Sequence, residues 1–105
     1  MGLDFNGGEL LLLAVGACYT NDIFREAMKR GVDAKNVQVD VGGDWGGEPV
    51  RAQNVAFSAR VEATATEAEI LDLIRHTDQV AEIHNSLRLG TPVSLVNTVA
   101  ISVRA

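Results

Sequence analysis

Cys18 is the only cysteine among the 105 residues of this sequence and the residue most able to do covalent chemistry. A thiolate is a strong nucleophile when nearby positive charge or hydrogen-bond donors stabilise it. Cys18 also ends an apolar run that starts at Leu10, and a buried cysteine there can act as a small packing residue. The residue type alone leaves both interpretations open, and the choice decides whether the protein is an enzyme.

The other residues that could catalyse a reaction or hold a cofactor are few and scattered. His84 precedes the polar residues Asn85 and Ser86, a setting typical of a capped, partly exposed side chain. His76 is expected near a helix C-terminus, where a cation suits the helix dipole. The two histidines lie apart, without carboxylates at ligand spacing, so we predict no metal site. The glycine pairs lack the context of a phosphate-binding or dinucleotide-binding loop, so we expect no cofactor.

The amino-acid composition indicates which class of protein this is and which partners are excluded. Hydrophobic residues make up 47% of the chain and aromatic residues 5%, which indicates a folded domain with an aliphatic core. A net charge of −5 without a basic stripe argues against nucleic acid as a partner. A single cysteine fits a reducing compartment. The apolar run is too short to span a bilayer, and no basic segment precedes it, so we expect a cytoplasmic protein without a membrane partner.

The element that must position Cys18 is a long helix, predicted from about Glu9 to Arg30 and ended by Gly31. Residues 1–8 are glycine-rich and predict a flexible lead-in. The first half of the helix is apolar on every face, which indicates burial on all sides. The second half predicts an apolar stripe of Ile23, Phe24, Ala27 and Met28, with a solvent-facing side made of Asp22, Arg25, Glu26 and Lys29.

A β-hairpin is predicted to follow this helix. Val37, Val39 and Val41 alternate with polar residues, and a second alternating run extends from Val55 to Ala63. Such alternation is typical of an antiparallel pair with one solvated face. The glycine-rich residues 42–49 predict the connection. Trp45 within it either clamps a neighbouring molecule or folds back onto its own chain, and we favour the second interpretation.

The remaining chain predicts two helices and a last strand. Thr66 and Glu69 form a capping box that opens a helix to about Val80, and its buried residues are expected to be Ile70, Leu73, Ile74 and Thr77. A short helix is predicted from Glu82 to Leu89, closed by Gly90. A final strand then contains Val93, Leu95, Val99, Ile101 and Val103 in phase. The order α-β-β-α-α-β predicts one α+β domain over residues 1–105.

This element order, with Glu9-Leu-Leu-Leu-Leu-Ala-Val-Gly-Ala-Cys18 on the long helix, resembles the family of osmotically inducible protein C and the organic hydroperoxide resistance proteins (OsmC/Ohr). The similarity covers residues 8–103. It also includes the helix end at Arg30-Gly31-Val32 and the segment Ala81-Glu-Ile-His-Asn-Ser-Leu87. The resemblance implies a long central helix packed on an antiparallel sheet, with two chains forming an intertwined homodimer.

The resemblance also implies a chemistry, and the chain departs from it in two ways. In the family, the cysteine matching Cys18 attacks a peroxide, becomes a sulfenic acid and is resolved by a second cysteine. Ala81 stands at that resolving position. The family's activating arginine comes from strands ahead of the long helix, and here only about eight residues precede that helix. The chain therefore resembles a shortened member that lacks most of these strands.

The resemblance places two further residues at the expected site. Glu9 matches the carboxylate that orients the arginine in active members, although without that arginine it is expected to interact with the helix N-terminus. His84 falls in the segment that the family folds near the nucleophile, where it could pair with Cys18 and favour its thiolate. The catalytic candidates are therefore Cys18, Glu9 and His84.

Two functions of different classes follow from the sequence. The first is thiol-dependent reduction of an organic hydroperoxide through Cys18 in oxidative stress defence, weak at most because the two partners of the cysteine are missing. The second is a non-catalytic dimeric domain with a structural role, or one that binds a small lipophilic molecule beside the central helix. Both functions imply a homodimer, because a helix that is apolar all round needs more cover than its own chain supplies.

Overall fold

The computed structural model describes residues 6–103 and shows an α+β fold. Helix α1 spans Gly7–Lys29 and is followed by strands β1, Asp33–Gly46, and β2, Arg51–Thr64. Helices α2, Glu67–Val80, and α3, Glu82–Leu89, complete the ordered elements. The predicted order α-β-β-α-α is confirmed. No helix within residues 6–103 is both long enough and apolar enough to span a lipid bilayer.

Helix α1 starts two residues earlier than predicted because Asn6 caps it. The Asn6 side-chain oxygen accepts a hydrogen bond from the Glu9 backbone N–H at 2.8 Å, which satisfies one free donor of the first turn. Gly31, with a φ of +68°, follows the helix in the left-handed conformation that glycine adopts at low cost. The glycine-rich lead-in was predicted over residues 1–8. Residues 1–5 lie outside the described part of the chain, and Gly7 and Gly8 belong to α1.

Strands β1 and β2 form the predicted antiparallel hairpin. Val37, Val39 and Val41 face Val61, Ala59 and Phe57 across the two strands, so the apolar residues share one face. The connection is shorter than predicted, since β1 continues to Gly46 and β2 begins at Arg51. Trp45 is therefore a strand residue. Its ring folds back over Gly8 of α1, where a Cβ would come within 2.9 Å of the indole Cε2.

Both short helices begin and end where local signals predict. Thr66 caps α2 by accepting from the Glu69 backbone N–H at 3.2 Å, and the Thr66 hydroxyl donates to the Glu69 carboxylate at 2.9 Å. Leu73 and Thr77 are buried as predicted, and Ile70 and Ile74 are half-buried. Gly90 closes α3 in the left-handed conformation, with a φ of +67°.

The core lies between α1, the apolar face of the hairpin and the two short helices. Its fully buried members come from α1, α2 and the residue between α2 and α3, and are Tyr19, Ile23, Ala27, Leu73 and Ala81. The Tyr19 hydroxyl donates to the Ile74 carbonyl oxygen at 2.7 Å, which ties α1 to α2. Burial and the negative charge of Asp78 raise the pKa of Tyr19 to about 12, so this hydroxyl keeps its proton at physiological pH.

The predicted orientation of the second half of α1 is wrong for four residues. Asp22 and Glu26 were expected to face solvent, but each is only 5% exposed. Phe24 and Met28 were expected to be buried, but they are 43% and 80% exposed. Helix α2 packs against α1, and its His76 contacts Glu26, one turn after Asp22 on the same side of α1. The opposite side of α1 is left open in a single chain.

The predicted last strand is absent from the sheet that the described residues form. Residues 91–103 have no regular secondary structure, and their apolar side chains project into solvent. Val93, Leu95, Val99, Ile101 and Val103 are each at least 81% exposed. Alternating apolar residues suit a strand, but a strand forms only when another strand edge provides hydrogen bonds. The sheet formed by the described residues contains β1 and β2, and residues 91–103 pair with the outer edge of neither strand.

Candidate functional site

Cys18 lies on α1, half-buried, beside a carboxylate. Its Sγ donates a hydrogen bond to Oδ2 of Asp22 at 3.5 Å, one helical turn further along. Asp22 in turn pairs through Oδ1 with Nη1 of Arg25 at 3.0 Å. The three residues occupy positions i, i+4 and i+7, which share one face of a helix. The local charge next to the sulfur is therefore negative, and the arginine lies behind it.

Arg25 connects this face of α1 to the start of α3. Its Nε donates to Oε2 of Glu26 at 3.1 Å, and its Nη1 lies 3.9 Å from Oε1 of Glu82. From the sequence, Arg25 was expected on the solvent side of α1, and no arginine matched the activating position of the family. The i, i+4, i+7 spacing of Cys18, Asp22 and Arg25 is the sequence signal that could have identified this group. We call these three residues the Cys18 triad.

Glu26 occupies the centre of a second polar group, on the side of α1 that faces α2. It accepts hydrogen bonds from Lys29 at 3.2 Å and from Arg25, and its Oε1 lies 3.1 Å from Nε2 of His76. Burial opposes ionisation of Glu26, but the hydrogen bonds from Arg25, Lys29 and His76 outweigh it and hold its pKa below the ordinary value. His76 therefore links α2 to α1, whereas its position in the sequence predicted only an interaction with the helix dipole.

Glu9 lies in the exposed first turn of α1. Cys18 lies nine positions after Glu9, which corresponds to about 14 Å along the helix axis. Within this chain the two predicted site residues therefore lie apart. Glu9 occupies the positive end of the helix dipole, where a carboxylate is stabilising.

His84 is buried in the core, and the expectation of a partly exposed, capped side chain is wrong. The residue is 5% exposed. Its ring stacks on Tyr19 at a centroid distance of 5.3 Å and meets the edge of Phe57 at 4.5 Å. Neither Nδ1 nor Nε2 has a hydrogen-bond partner, so His84 makes no hydrogen bond to Cys18. A buried polar group without a partner costs about 1–3 kcal/mol, which makes this histidine unusual.

Burial also decides the charge of His84. Loss of hydration lowers its pKa below the ordinary value, and the positive charge of Arg88 acts in the same direction, partly opposed by Asp78 and Asp22. The imidazole is therefore neutral at physiological pH and carries one hydrogen-bond donor and one acceptor.

A cavity of about 260 Å³ lies between α1, β2 and α3, with His84 in its wall. We call it the His84 cavity. Most of its lining is apolar and comes from Leu11, Val15, Val55, Phe57 and Leu87. The polar residues Gln53, Asn54 and Arg88 complete the wall, and Arg88 is already paired with Asp78 at 2.6 Å. Cys18 does not line this cavity, although Val15, one turn earlier on α1, does.

Ala81, at the position where a resolving cysteine was expected from the resemblance, is fully buried. It lies between α2 and α3 and belongs to the same core cluster as Tyr19, the residue after Cys18. Within residues 6–103, no group of three or more histidine, cysteine, aspartate or glutamate side chains is arranged to hold a metal ion.

Comparisons with known proteins agree on one family. The sequence model of the OsmC-like proteins matches residues 1–96. The crystal structure of an OsmC-like protein from Mycoplasma pneumoniae superimposes with a TM-score of 0.74 at 18% identity, over 86% of this chain and 66% of that one. An OsmC-like protein of unknown function from Vibrio cholerae gives a TM-score of 0.62 at 15% identity, over 76% and 56% of the two chains. No curated protein sequence gives a match.

The lengths of these proteins differ. The chain covers less than two thirds of either solved structure, 66% of the first and 56% of the second. At 15–18% identity, the likeness to these structures concerns the fold.

Proposed function

Because the chain belongs to the OsmC-like protein family, a family associated with stress and peroxide defence, we propose that it reduces hydroperoxides weakly, in a thiol-dependent reaction at Cys18. The observation that carries the proposal is a half-buried cysteine on the central helix of an OsmC-like fold, with Arg25 held nearby through Asp22. The proposed substrate class is an organic hydroperoxide, because apolar side chains of α1 and β1, among them Leu13 and Val41, line a groove that reaches Ala17, the residue before Cys18.

The reaction consumes one hydroperoxide and two external thiols. The Cys18 thiolate attacks the terminal peroxide oxygen, the O–O bond breaks, and the alcohol leaves with a proton while Cys18 becomes a sulfenic acid. One external thiol then displaces water to form a mixed disulfide, and a second releases Cys18 as a thiol with an external disulfide as product. External thiols are needed because Ala81 supplies no sulfur.

Two features of the site support a weak activity. The Cys18 thiol donates to Asp22, so a thiolate at this position would lie beside a carboxylate. Arg25 is engaged by Asp22 and Glu26, which leaves it partly neutralised. Glu9 and His84, the other catalytic candidates, make no hydrogen bond to Cys18. Glu9 supports the start of α1, and His84 contributes the aromatic packing beside Tyr19.

The test is to react the protein with a stoichiometric amount of cumene hydroperoxide and follow its intact mass, first alone and then with a dithiol. The proposal expects a gain of one oxygen atom, its reversal by the dithiol and slow turnover. Cys18→Ser is the matched control and should gain no oxygen. A wild-type protein that stays inert while an active relative is oxidised would contradict the proposal.

The alternative is a dimeric domain without catalysis, with a structural role or binding a small lipophilic molecule. The His84 cavity favours this alternative, since an apolar cavity with a few polar groups in its wall is the usual form of a small-molecule site. Binding without oxidation of Cys18 would support the alternative over the peroxidase.

We also propose that the protein forms a homodimer through α1 and residues 91–103. On α1, Leu10 and Leu13 are 41% and 56% exposed, and the apolar side chains of residues 91–103 are almost fully exposed. Exposed apolar surface of this extent is typical of an interface with another chain. A second copy is the natural partner because the family resemblance implies an intertwined dimer around the central helices.

A further inference from the structure

The His84 cavity has two features that contribute neither to the stability of the fold nor to the chemistry of Cys18. It is an apolar cavity of about 260 Å³ beside the core. Its wall contains a histidine that is 5% exposed and whose two ring nitrogens have no partner. An aromatic or aliphatic side chain in that position would pack on Tyr19 and Phe57 without leaving polar atoms unpaired.

The wall of the cavity offers no protein partner for His84. Arg88, the charged side chain of the lining, donates to the carbonyl oxygen and carboxylate of Asp78 instead. Both ring nitrogens are closed to bulk solvent. A molecule inside the cavity can become the partner of His84 once the ring rotates about its Cβ–Cγ bond and turns a nitrogen toward the cavity.

We propose that the His84 cavity binds a small uncharged molecule with an apolar body and one hydroxyl group, hydrogen-bonded to the imidazole of His84. A neutral imidazole offers one donor and one acceptor, and a hydroxyl group offers the same pair, so the two groups are complementary. The apolar body would rest on Leu11, Val15 and Leu87. A charged ligand is disfavoured, because Arg88 is already neutralised by Asp78 and the remaining lining is uncharged.

This proposal specifies the ligand of the binding alternative and is independent of peroxide chemistry. The cavity does not include Cys18. Binding should therefore be equal in the wild-type protein and in Cys18→Ser. If Cys18 does not react with hydroperoxides, the ligand proposal still stands. If the His84 cavity binds no ligand, the peroxidase proposal still stands.

The experiment uses two probes of nearly the same shape, p-cresol and p-xylene, which differ by a hydroxyl in place of a methyl group. The full chain is labelled with ¹⁵N on its histidines, and the ring nitrogens are followed by NMR during each titration. We expect p-cresol to shift the His84 ring nitrogens and leave those of His76 in place. We expect p-xylene to bind about tenfold more weakly, the value of roughly one hydrogen bond.

The matched variants are His84→Phe and His76→Phe. The first keeps an aromatic ring on Tyr19 but removes both nitrogens, so it should abolish the preference for p-cresol while raising the melting temperature of the free protein. The second lies outside the cavity lining and should keep the preference. Unmoved His84 ring nitrogens at saturating p-cresol would overturn the proposal, as would an undiminished preference in His84→Phe. His84 signals that change with protein concentration instead of probe concentration would assign the cavity to a second copy of the chain and also overturn it.

Discussion

The sulfur of Cys18 donates a hydrogen bond to the carboxylate of Asp22 across 3.5 Å, within a single turn of α1. This contact relates the one thiol of the chain to a side chain that is itself 5% exposed and paired with Arg25. The Cys18 triad therefore places a negative charge between the sulfur and the nearest guanidinium of α1. A reactive thiolate is stabilised by a positive charge next to the sulfur, whereas here the negative charge is next to it.

We predict that Asp22→Asn increases the reactivity of Cys18. Two unit charges about 4 Å apart in water interact by roughly 1 kcal/mol, so removing the carboxylate should increase the thiolate reaction rate by about fivefold. The measurement is the rate of alkylation by iodoacetamide at neutral pH, followed by intact mass. Oxidation by cumene hydroperoxide should accelerate in parallel.

Glu82→Gln is the control for this prediction. It removes a charge that lies 3.9 Å from Arg25 but does not contact Cys18. Its alkylation rate should match that of the wild-type protein. Equal rates in Asp22→Asn and wild type would show that the carboxylate has no influence on the sulfur.

We predict that Ala81→Cys forms an internal disulfide with Cys18 after oxidation by one equivalent of organic hydroperoxide. This outcome requires Cα atoms within about 7 Å and a thiol that the oxidant can reach. Ala81 is fully buried, so the larger side chain should destabilise the reduced variant by about 1–3 kcal/mol. Loss of both free thiols, measured under denaturing conditions, is the expected result.

Ala81→Ser is the matched control, since it introduces a side chain of similar size without a second sulfur. It should keep one free thiol before oxidation and form no internal crosslink. If both thiols of Ala81→Cys survive treatment that oxidises an active relative, Cys18 is inaccessible or the two positions are too far apart, and the structural role of Cys18 is then the better explanation.

We predict a dimer in solution that Leu13→Glu dissociates. Leu13 is 56% exposed on α1 in the single chain, and a charge buried at an interface without a partner is strongly unfavourable. An obligate interface of this kind buries upwards of roughly 2,000 Å². Light scattering at micromolar concentration should give the mass of two chains for the wild type and of one for the variant.

Leu71→Glu tests whether the effect is specific. Leu71 is 48% exposed, close to the value of Leu13, but lies on α2. This variant should remain dimeric. A wild-type protein of monomeric mass would exclude the proposed assembly.

We predict that Glu26 contributes to stability at neutral pH and that this contribution disappears in acid. The pKa of Glu26 is held below its ordinary value of 4.5 in the folded protein by its hydrogen bonds. A depressed carboxyl pKa stabilises the folded state above the unfolded value, and the stabilisation is lost as the pH falls from about 4.5 through the folded pKa. Glu26→Gln should therefore be less stable than wild type at pH 7.

The measurement is the thermal midpoint of both proteins between pH 7 and pH 3. The difference between them should shrink steadily below pH 4.5. Glu48→Gln, at an exposed position in the turn between β1 and β2, is a suitable comparison because it changes a carboxylate outside the buried group. A difference between wild type and Glu26→Gln that is constant with pH would contradict the assigned charge state.

Much of the fold is local in origin and could be predicted from the sequence. Thr66 and Glu69 meet within one turn of α2, and Gly31 and Gly90 stop their helices through their own backbone conformation. The period-two pattern of the hairpin places Val39 opposite Ala59 with the apolar side inward. The motif around Cys18 identified the family. Each of these signals acts over a few residues or along one strand, so the sequence contains them directly.

Tertiary structure decided which side of α1 is buried and what surrounds the candidate site. Asp22 and Glu26 are acidic residues that were expected to face solvent, but both are buried. His76, 50 positions later in the chain, supplies a partner for Glu26. His84 is buried because Tyr19 and Phe57, from two other elements, enclose its ring.

The same distinction explains the last predicted strand. Apolar and polar residues alternate between Val93 and Val103. This pattern shows which side chains would share a face of a strand, and the sequence determines it by itself. Whether the segment joins a sheet depends on its position along a strand edge, and residues 91–103 pair with neither outer edge of the hairpin of residues 33–64. Periodicity is a property of one segment, whereas pairing, burial and charge neutralisation require a second segment at hydrogen-bond distance, and only the three-dimensional arrangement supplies that partner.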